Sequence, residues 1–231
     1  MEKVVNPNIF NGGSMSTFPT PNVGVSLIRI HKVISRSLAV SIEHCQGAGP
    51  VPARQDGFQR YERALVSTLT AHHDGEEEIA FPFLKGKLPD GPYDLLVQQH
   101  QQITAFLERI KAWLEKGEGA WQPASLADLH AALIELDTLW HIHIPIEEGL
   151  MGPQAAANLL TPEENGQLEG QLAGHAAQHA QPSELTVPFV LYNLSGEDRA
   201  GMAATFPPVV TQQLLPSWKP AWAPMQPFFL D

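Results

Sequence analysis

Four segments of this chain repeat apolar residues at helical spacing, and each sets one histidine on the apolar stripe itself. The first stripe runs Leu27, His31, Ile34, Leu38, Cys45, and the second Phe58, Tyr61, Leu65, Thr68, His72, Glu76, Ile79. The third runs Leu96, His100, Ile103, Leu107, Ile110, Leu114, and the fourth Leu126, Leu129, Leu133, Leu136, Trp140, His143, Glu147, Leu150. Such stripes predict amphipathic helices whose marked faces must turn inward. Breaks rich in Gly and Pro fall at Gly47–Pro52, Lys85–Pro92 and Gly117–Pro123, short enough to join antiparallel neighbours. No comparable run of alternating strands appears. The expected fold is therefore all-α, an up-down-up-down four-helix bundle over residues 22–158. Ser125 with Asp128 is read as the cap that starts the fourth helix, and Pro153 as lying just past its end.

The flanks differ from the bundle. Residues 1–21 are rich in Asn, Gly, Ser, Thr and Pro and read as a flexible tail. Residues 159–231 read as an extension packed on the bundle. Its TPEE stretch, Thr161 to Glu164, is a helix start, with a helix expected to about His179. From Gln181 onward lie eight of the chain's twenty prolines, with Trp218, Trp222, Phe228 and Phe229, and no separate domain is expected there.

Charge and composition narrow the function. The formal charge of −11 argues against nucleic acid and anionic membranes, which select basic faces. No apolar run approaches the ~20 residues of a spanning helix, and no secretory signal is visible in the first residues. With Cys45 as its lone cysteine, the chain is expected in the reducing cytoplasm.

The histidines carry the sharper signal. HHDGEEEIAFP, His72 to Pro82, and HIPIEEGLMGP, His143 to Pro153, share a pattern: a histidine, a Glu-Glu pair four residues on, and a proline six residues after the first Glu. His31 and His100 are 69 residues apart, and His72 and His143 are 71 apart. The first helical hairpin thus resembles the second, and a pseudo-twofold axis would bring the four histidines toward one midpoint. At i and i+4 a histidine and a glutamate project from one helix face about 5–6 Å apart at Cβ, so one helix offers N and O ligands together. A single histidine on an apolar face is ordinarily a hydrogen-bonded core residue. Four of them with two glutamates are a different case, because unpaired carboxylates there would each cost several kcal/mol of desolvation.

Imidazole with carboxylate suits iron, manganese or zinc. Four histidines and two carboxylates exceed what one tetrahedral zinc requires, which favours a dinuclear centre. Neither Glu-x-x-His nor His-Glu-x-x-His occurs in the chain.

These residues resemble the hemerythrin-like (HHE) proteins, over roughly residues 24–153, in LIRIHKVI, HHDGEEEIAFP, QQHQQI and HIPIEEGLMGP. The resemblance implies a non-haem di-iron centre in a four-helix bundle, with two iron ions bridged by carboxylates and an oxo or hydroxo group, and manganese or zinc as substitutes. It implies His31, His72, Glu76, His100, His143 and Glu147 as ligands. It implies binding of O2 or a related small ligand for carriage, storage or sensing; the alternative is a di-iron oxidoreductase acting on peroxide, nitric oxide or an organic substrate. The oxygen-carrying members have a further histidine where this chain has Thr104. A fifth imidazole is thus missing unless Glu77, Glu148 or His73 takes its role, which raises redox chemistry against simple carriage. Protein partners are not legible.

Several neighbours have ordinary readings. Glu77, Glu78 and Glu148 read as a solvated face or as outer neighbours of the site. Gly75 either makes space or marks a helix break, and Pro145, between His143 and Glu147, should kink its helix. His175 and His179 read as surface residues, a supplementary metal contact being the alternative. Trp140 reads as core packing that could carry electrons, and Cys45 as a small core residue.

Overall fold

The computed structural model describes residues 22–46 and 51–230. The expected N-terminal tail and part of the first break, residues 47–50, lie outside the described residues. Among the described residues there are helices and turns and no strand, and no helix is long and apolar enough to cross a membrane.

The four striped segments are helices: α1 (Val23–Gln46), α2 (Pro52–Gly75), α4 (Tyr93–Leu114) and α5 (Pro123–Met151). A short α3 (Phe81–Lys85) continues α2, and α6 (Pro153–Leu159) continues α5. The long helices contact one another in a ring, α1 on α5, α5 on α4, α4 on α2 and α2 on α1. Every residue of the first, third and fourth stripes is buried, and in the second only His72 and Ile79 keep partial exposure.

The apolar core is in two parts. Ile34, Leu69, Ile103 and Leu136 belong to the larger part, while Leu27, Ala80, Leu96 and Leu150 belong to the smaller. Along each helix the histidines lie between a member of one part and a member of the other. The polar residues therefore form a layer across the interior, with hydrocarbon on both sides.

One local expectation is corrected. Helix α5 begins at Pro123 rather than at a Ser125 cap: Pro123 occupies the first turn, Gln122 precedes it in extended backbone, and Ser125 is buried. Proline's fixed φ and missing N–H suit that position. Pro145 lies on an exposed part of α5, whose helix runs unbroken past it. The distorted turn lies in the other hairpin. Residues Glu76–Ala80 form a π-helical turn, closed by the Phe81 N–H donating to the Glu76 carbonyl five residues back. Pro82 follows, and in a regular α-helix its ring would meet the carbonyl of Glu78; widening the turn relieves that clash.

Helix α7 (Pro162–His179) starts with a full capping box. The Glu164 N–H donates to Thr161 Oγ1, and the Thr161 N–H donates to the Glu164 carboxylate. It packs on α2, on the π turn and on α1. The extension beyond it is more helical than its prolines indicate, with α8 (Ser183–Tyr192), α9 (Gly196–Ala203) and shorter turns ending in a 3-10 turn, Ala223–Phe228. That last turn lies along α2 and inserts Phe228 against Phe58, Tyr61 and His44. Arg36 Nη1 donates to the Phe228 carbonyl at 2.8 Å and to Asn193 Oδ1, to which Tyr61 also donates at 2.7 Å. The approach is close enough to need a glycine, since a Cβ on Gly57 would stand 1.9 Å from the Pro224 carbonyl oxygen. Replacing Gly57 by Ala should cost about 1–3 kcal/mol, the range for overpacking, measured as a lowered urea midpoint with unchanged helical circular dichroism.

One carboxyl is buried well away from the histidine layer. Glu62 is fully buried, receives a hydrogen bond from Ser41 Oγ, and leaves Oε2 without a partner. Burial raises it from its ordinary 4.5 to about 8, and Ser41 offsets little of that. Burial, with Glu62 nearby, also pushes the Cys45 thiol up, so Cys45 behaves as a small core residue. The folded chain keeps the Glu62 proton longer than the unfolded chain does. The stability tied to that proton is complete below about pH 4.5 and is lost as pH rises through about 8, on the order of 5 kcal/mol in all. Glu62→Gln should remove this slope. Urea unfolding of variant and parent at about pH 5 and pH 8.5 should show the variant gaining on the parent at the higher pH; a constant difference would mean that Glu62 does not hold the proton.

Candidate metal centre

The layer between the two apolar cores gathers His31 from α1, His72 and His73 from α2, Glu76 from the π turn, His100 from α4, and His143 and Glu147 from α5. They fall into two groups that each present four ligand atoms within 4.8 Å of one another. One group is His73, Glu76, His100 and His143; the other is His31, His72, Glu76 and Glu147. Glu76 belongs to both.

All six residues named from the sequence are in this cluster, and His73 is a seventh. The stripe assigns α2 one inward histidine per turn, which selects His72. The two adjacent side chains instead straddle the midline of the inward face, about 100° apart, and each enters a different group. The doubled histidine at positions 72 and 73 was the available signal. Thr104 does not face the cluster: it is exposed and donates to the carbonyl of His100 on its own helix.

Nitrogen and oxygen atoms converge here without satisfying one another. His143 Nε2 and His31 Nε2 stand 2.9 and 3.2 Å from Glu147 Oε2, His72 Nδ1 3.2 Å from Glu76 Oε1, and His100 Nε2 3.5 Å from Glu76 Oε2. Yet Nε2 of His31, His72, His73, His100 and His143, and every carboxylate oxygen of Glu76 and Glu147, lacks a hydrogen-bond partner. Orphaned polar atoms are rare in a protein interior. Nine of them aimed at two neighbouring points fit cations that accept lone pairs from all of them.

The outward nitrogens, in contrast, are held. His31 Nδ1 donates to Glu148 Oε1 at 2.9 Å, and His100 Nδ1 donates to Glu77 Oε1 at 2.8 Å. These two acids are the second members of the two Glu-Glu pairs, so each hairpin steadies a histidine of the other. His143 Nδ1 donates to Gln99 Oε1 at 3.1 Å. Such bonds fix the ring orientation and the tautomer with Nε2 free to ligate. The sequence leaves Glu77 and Glu148 either on a solvated face or as outer neighbours of the site, because the histidine that donates to each sits on another helix.

Aromatic rings close the layer. Trp140 meets His31 edge-on at 5.2 Å and lies nearly parallel to His143 at 5.6 Å, with its indole N–H donating to Ser35 Oγ. His73 and His100 stack at 3.9 Å, and Phe81 stacks on the other side of His100 at 5.7 Å. This hydrocarbon wall sets the electrostatics. Burial drives His72 to about 3 and His100 to about 4, and His73 well below its usual range, so these rings are neutral at physiological pH. Burial acts on His31 too, but Glu147 and Glu148 outweigh it and hold its proton to about 9. Burial and the neighbouring Glu147 raise Glu76 well above the carboxylate range. Burial also opposes the charge on Glu147, but contact with Glu76 and His31 outweighs it and keeps Glu147 ionised.

Glu148→Ala and Glu77→Ala test the outer bonds. Each should lower affinity for a first-row divalent metal by about 10–100-fold, the usual effect of losing an orienting partner, with little change in thermal stability. Competition against a chelator measures it, and unaltered affinity in both variants would sink the orienting role.

The family model of the Hemerythrin HHE cation binding domain matches residues 26–155 and again 91–186. The second match carries the likeness past residue 160, where the sequence motifs leave off, and takes in α7. No curated protein and no solved structure matches the chain. With its ligand-rich layer and a family match spanning most of its length, the chain belongs to the hemerythrin HHE cation-binding family.

Proposed function

We propose that this chain is a hemerythrin-like non-haem di-iron protein, an up-down-up-down bundle over residues 22–158 sealed by the extension from residue 159, which binds O2 or a related small ligand. The observation that carries the reading is the pair of ligand groups sharing Glu76, walled by hydrocarbon on both sides. One ion would be held by His73, His100 and His143, the other by His31, His72 and Glu147, with Glu76 between them. Bound there, two iron ions would supply one-electron redox chemistry and a coordination position for a small ligand.

The chain's own residues set the terms of that chemistry. His72, His73 and His100 are neutral and ready to ligate without losing a proton. A cation entering beside His31 has to displace the proton that Glu147 and Glu148 hold there. Trp140 and Phe81 keep bulk water from the layer, which strengthens each electrostatic contact inside it. His73 supports carriage over turnover, since it provides the fifth imidazole that Thr104 does not. The oxidoreductase reading draws support from Glu147, an ionised and fully buried carboxylate that favours the ferric state in one group.

Anaerobic loading with ferrous iron, followed by mixing with oxygen, tests the proposal. About two irons per chain are expected, with a visible band that forms with oxygen and bleaches on its removal; His73→Ala should oxidise promptly instead. Prompt, irreversible oxidation of the parent chain would favour the oxidoreductase, and failure to hold two irons would sink both readings.

A further inference from the structure

One histidine outside the central layer is also buried without partners. His175 on α7 is 8 % exposed, and neither ring nitrogen makes a hydrogen bond. It is not the surface residue that the sequence indicates. Its seat is Gly75: a Cβ there would come within 3.2 Å of His175 Nδ1 and 3.4 Å of Leu172 Cδ2. The space left by that glycine serves α7, not the central cluster. The His175 ring lies parallel to that of His179, with centroids 4.0 Å apart and planes 7° apart. On the π turn, Glu78 brings Oε2 to 3.4 Å from His175 Nε2 without hydrogen-bonding to it. Glu78 follows Glu76 by two residues and so leaves the turn on its opposite side; Glu76 is 2 % exposed and the Glu78 side chain 65 %.

We propose that His175, His179 and Glu78 form a second metal site, on the outer face of α2, for a divalent first-row transition-metal cation such as zinc or cobalt. His175 is the fixed ligand, held in its seat with both nitrogens free. His179 follows it by one turn on the same helix face, the spacing at which two side chains reach one point. Being exposed, it turns about its side-chain bonds to aim a nitrogen beside that of His175. Glu78 contributes a carboxylate oxygen from across the interface. Two imidazoles and a carboxylate are three ligands of a tetrahedral ion, with water as the fourth. The ion ties α7 to the π turn that carries Glu76 on its inner side. The site needs the turn of His179, so it is less preassembled than the central groups, and it stands whether or not those groups hold two irons.

Equilibrium dialysis of the full chain against cobalt(II), with the visible ligand-field bands recorded, tests it. His179→Ala and Glu78→Gln alter exposed residues and leave the core intact, whereas His175→Ala could fail for reasons of packing. His179→Ala should hold about one cobalt fewer per chain than the parent and lose the matching part of the spectrum, and Glu78→Gln should release that same cobalt at lower chelator concentration. Central ions contribute equally to parent and variant, so a failure at the centre leaves this difference untouched. Equal cobalt content and identical spectra in parent and His179→Ala would overturn the proposal.

Discussion

Carboxylates and imidazoles taken out of water need something to replace the water, and the structure is arranged around that need. Glu76 and Glu147 are 2 % and 0 % exposed in a protein interior with hydrocarbon on two sides. Neither residue could stay there unpaired, because the desolvation of each ion is worth several kcal/mol. Compensation comes from the layer itself: five rings supply nitrogens, and cations complete the count. Because the layer demands cations, the fold around it has to bring nitrogens and oxygens close together without letting them satisfy one another. The two apolar cores provide that rigidity, and the outer acids and Gln99 lock the rings from behind.

The π turn shows how one local distortion serves several ends. Pro82 forbids a regular α-helical turn before it, and the chain answers with five widened residues. Glu76 opens that turn on the inside, Glu77 reaches across to His100, and Glu78 faces α7. Three consecutive acids, which look alike in the sequence, thus acquire three different surroundings. The related stretch on α5 ends its helix at Met151, with Pro153 starting the next, and needs no such widening. The pseudo-repeat of the sequence is therefore broken at the very turn that both groups share.

Much of this was legible in advance, for physical reasons. The stripes are long and strictly spaced, so they fix the inward faces and with them His31, His100, His143, Glu76 and Glu147. The capping box at Thr161 is a local device with a local signature, and its helix ends at His179 as the sequence indicates. What escaped depends on neighbours. His73 lies one residue off a stripe, so the sequence offers it only as a stand-in for the missing imidazole, and its place beside Glu76, His100 and His143 is set by packing. Glu77 and Glu148 look solvated until the partner hairpin is placed beside them. Gly57 and Gly75 are explained only by what crosses them, the Ala223–Phe228 turn and α7. In the extension, the prolines obscure α8 and α9 because most of them start turns or lie near helix ends, where a missing N–H costs little.

Phe228 and the carbonyl beside it complete the core around Tyr61 and Arg36, at a sequence separation of 192 residues from Arg36. During synthesis at about 5–20 residues per second, the partners on α1 and α2 wait about 10–40 seconds for that segment. Over that interval the aromatic face made by Phe58 and Tyr61 has no native cover, and loop-closure entropy opposes the late contact. The metal layer has a shorter delay, since 116 residues separate its first ligand, His31, from its last, Glu147, which is made well before Phe228. Vectorial synthesis therefore makes the cation site competent before the aromatic end of the molecule is closed, and the nascent chain's exposure to aggregation and to chaperones is concentrated at that end.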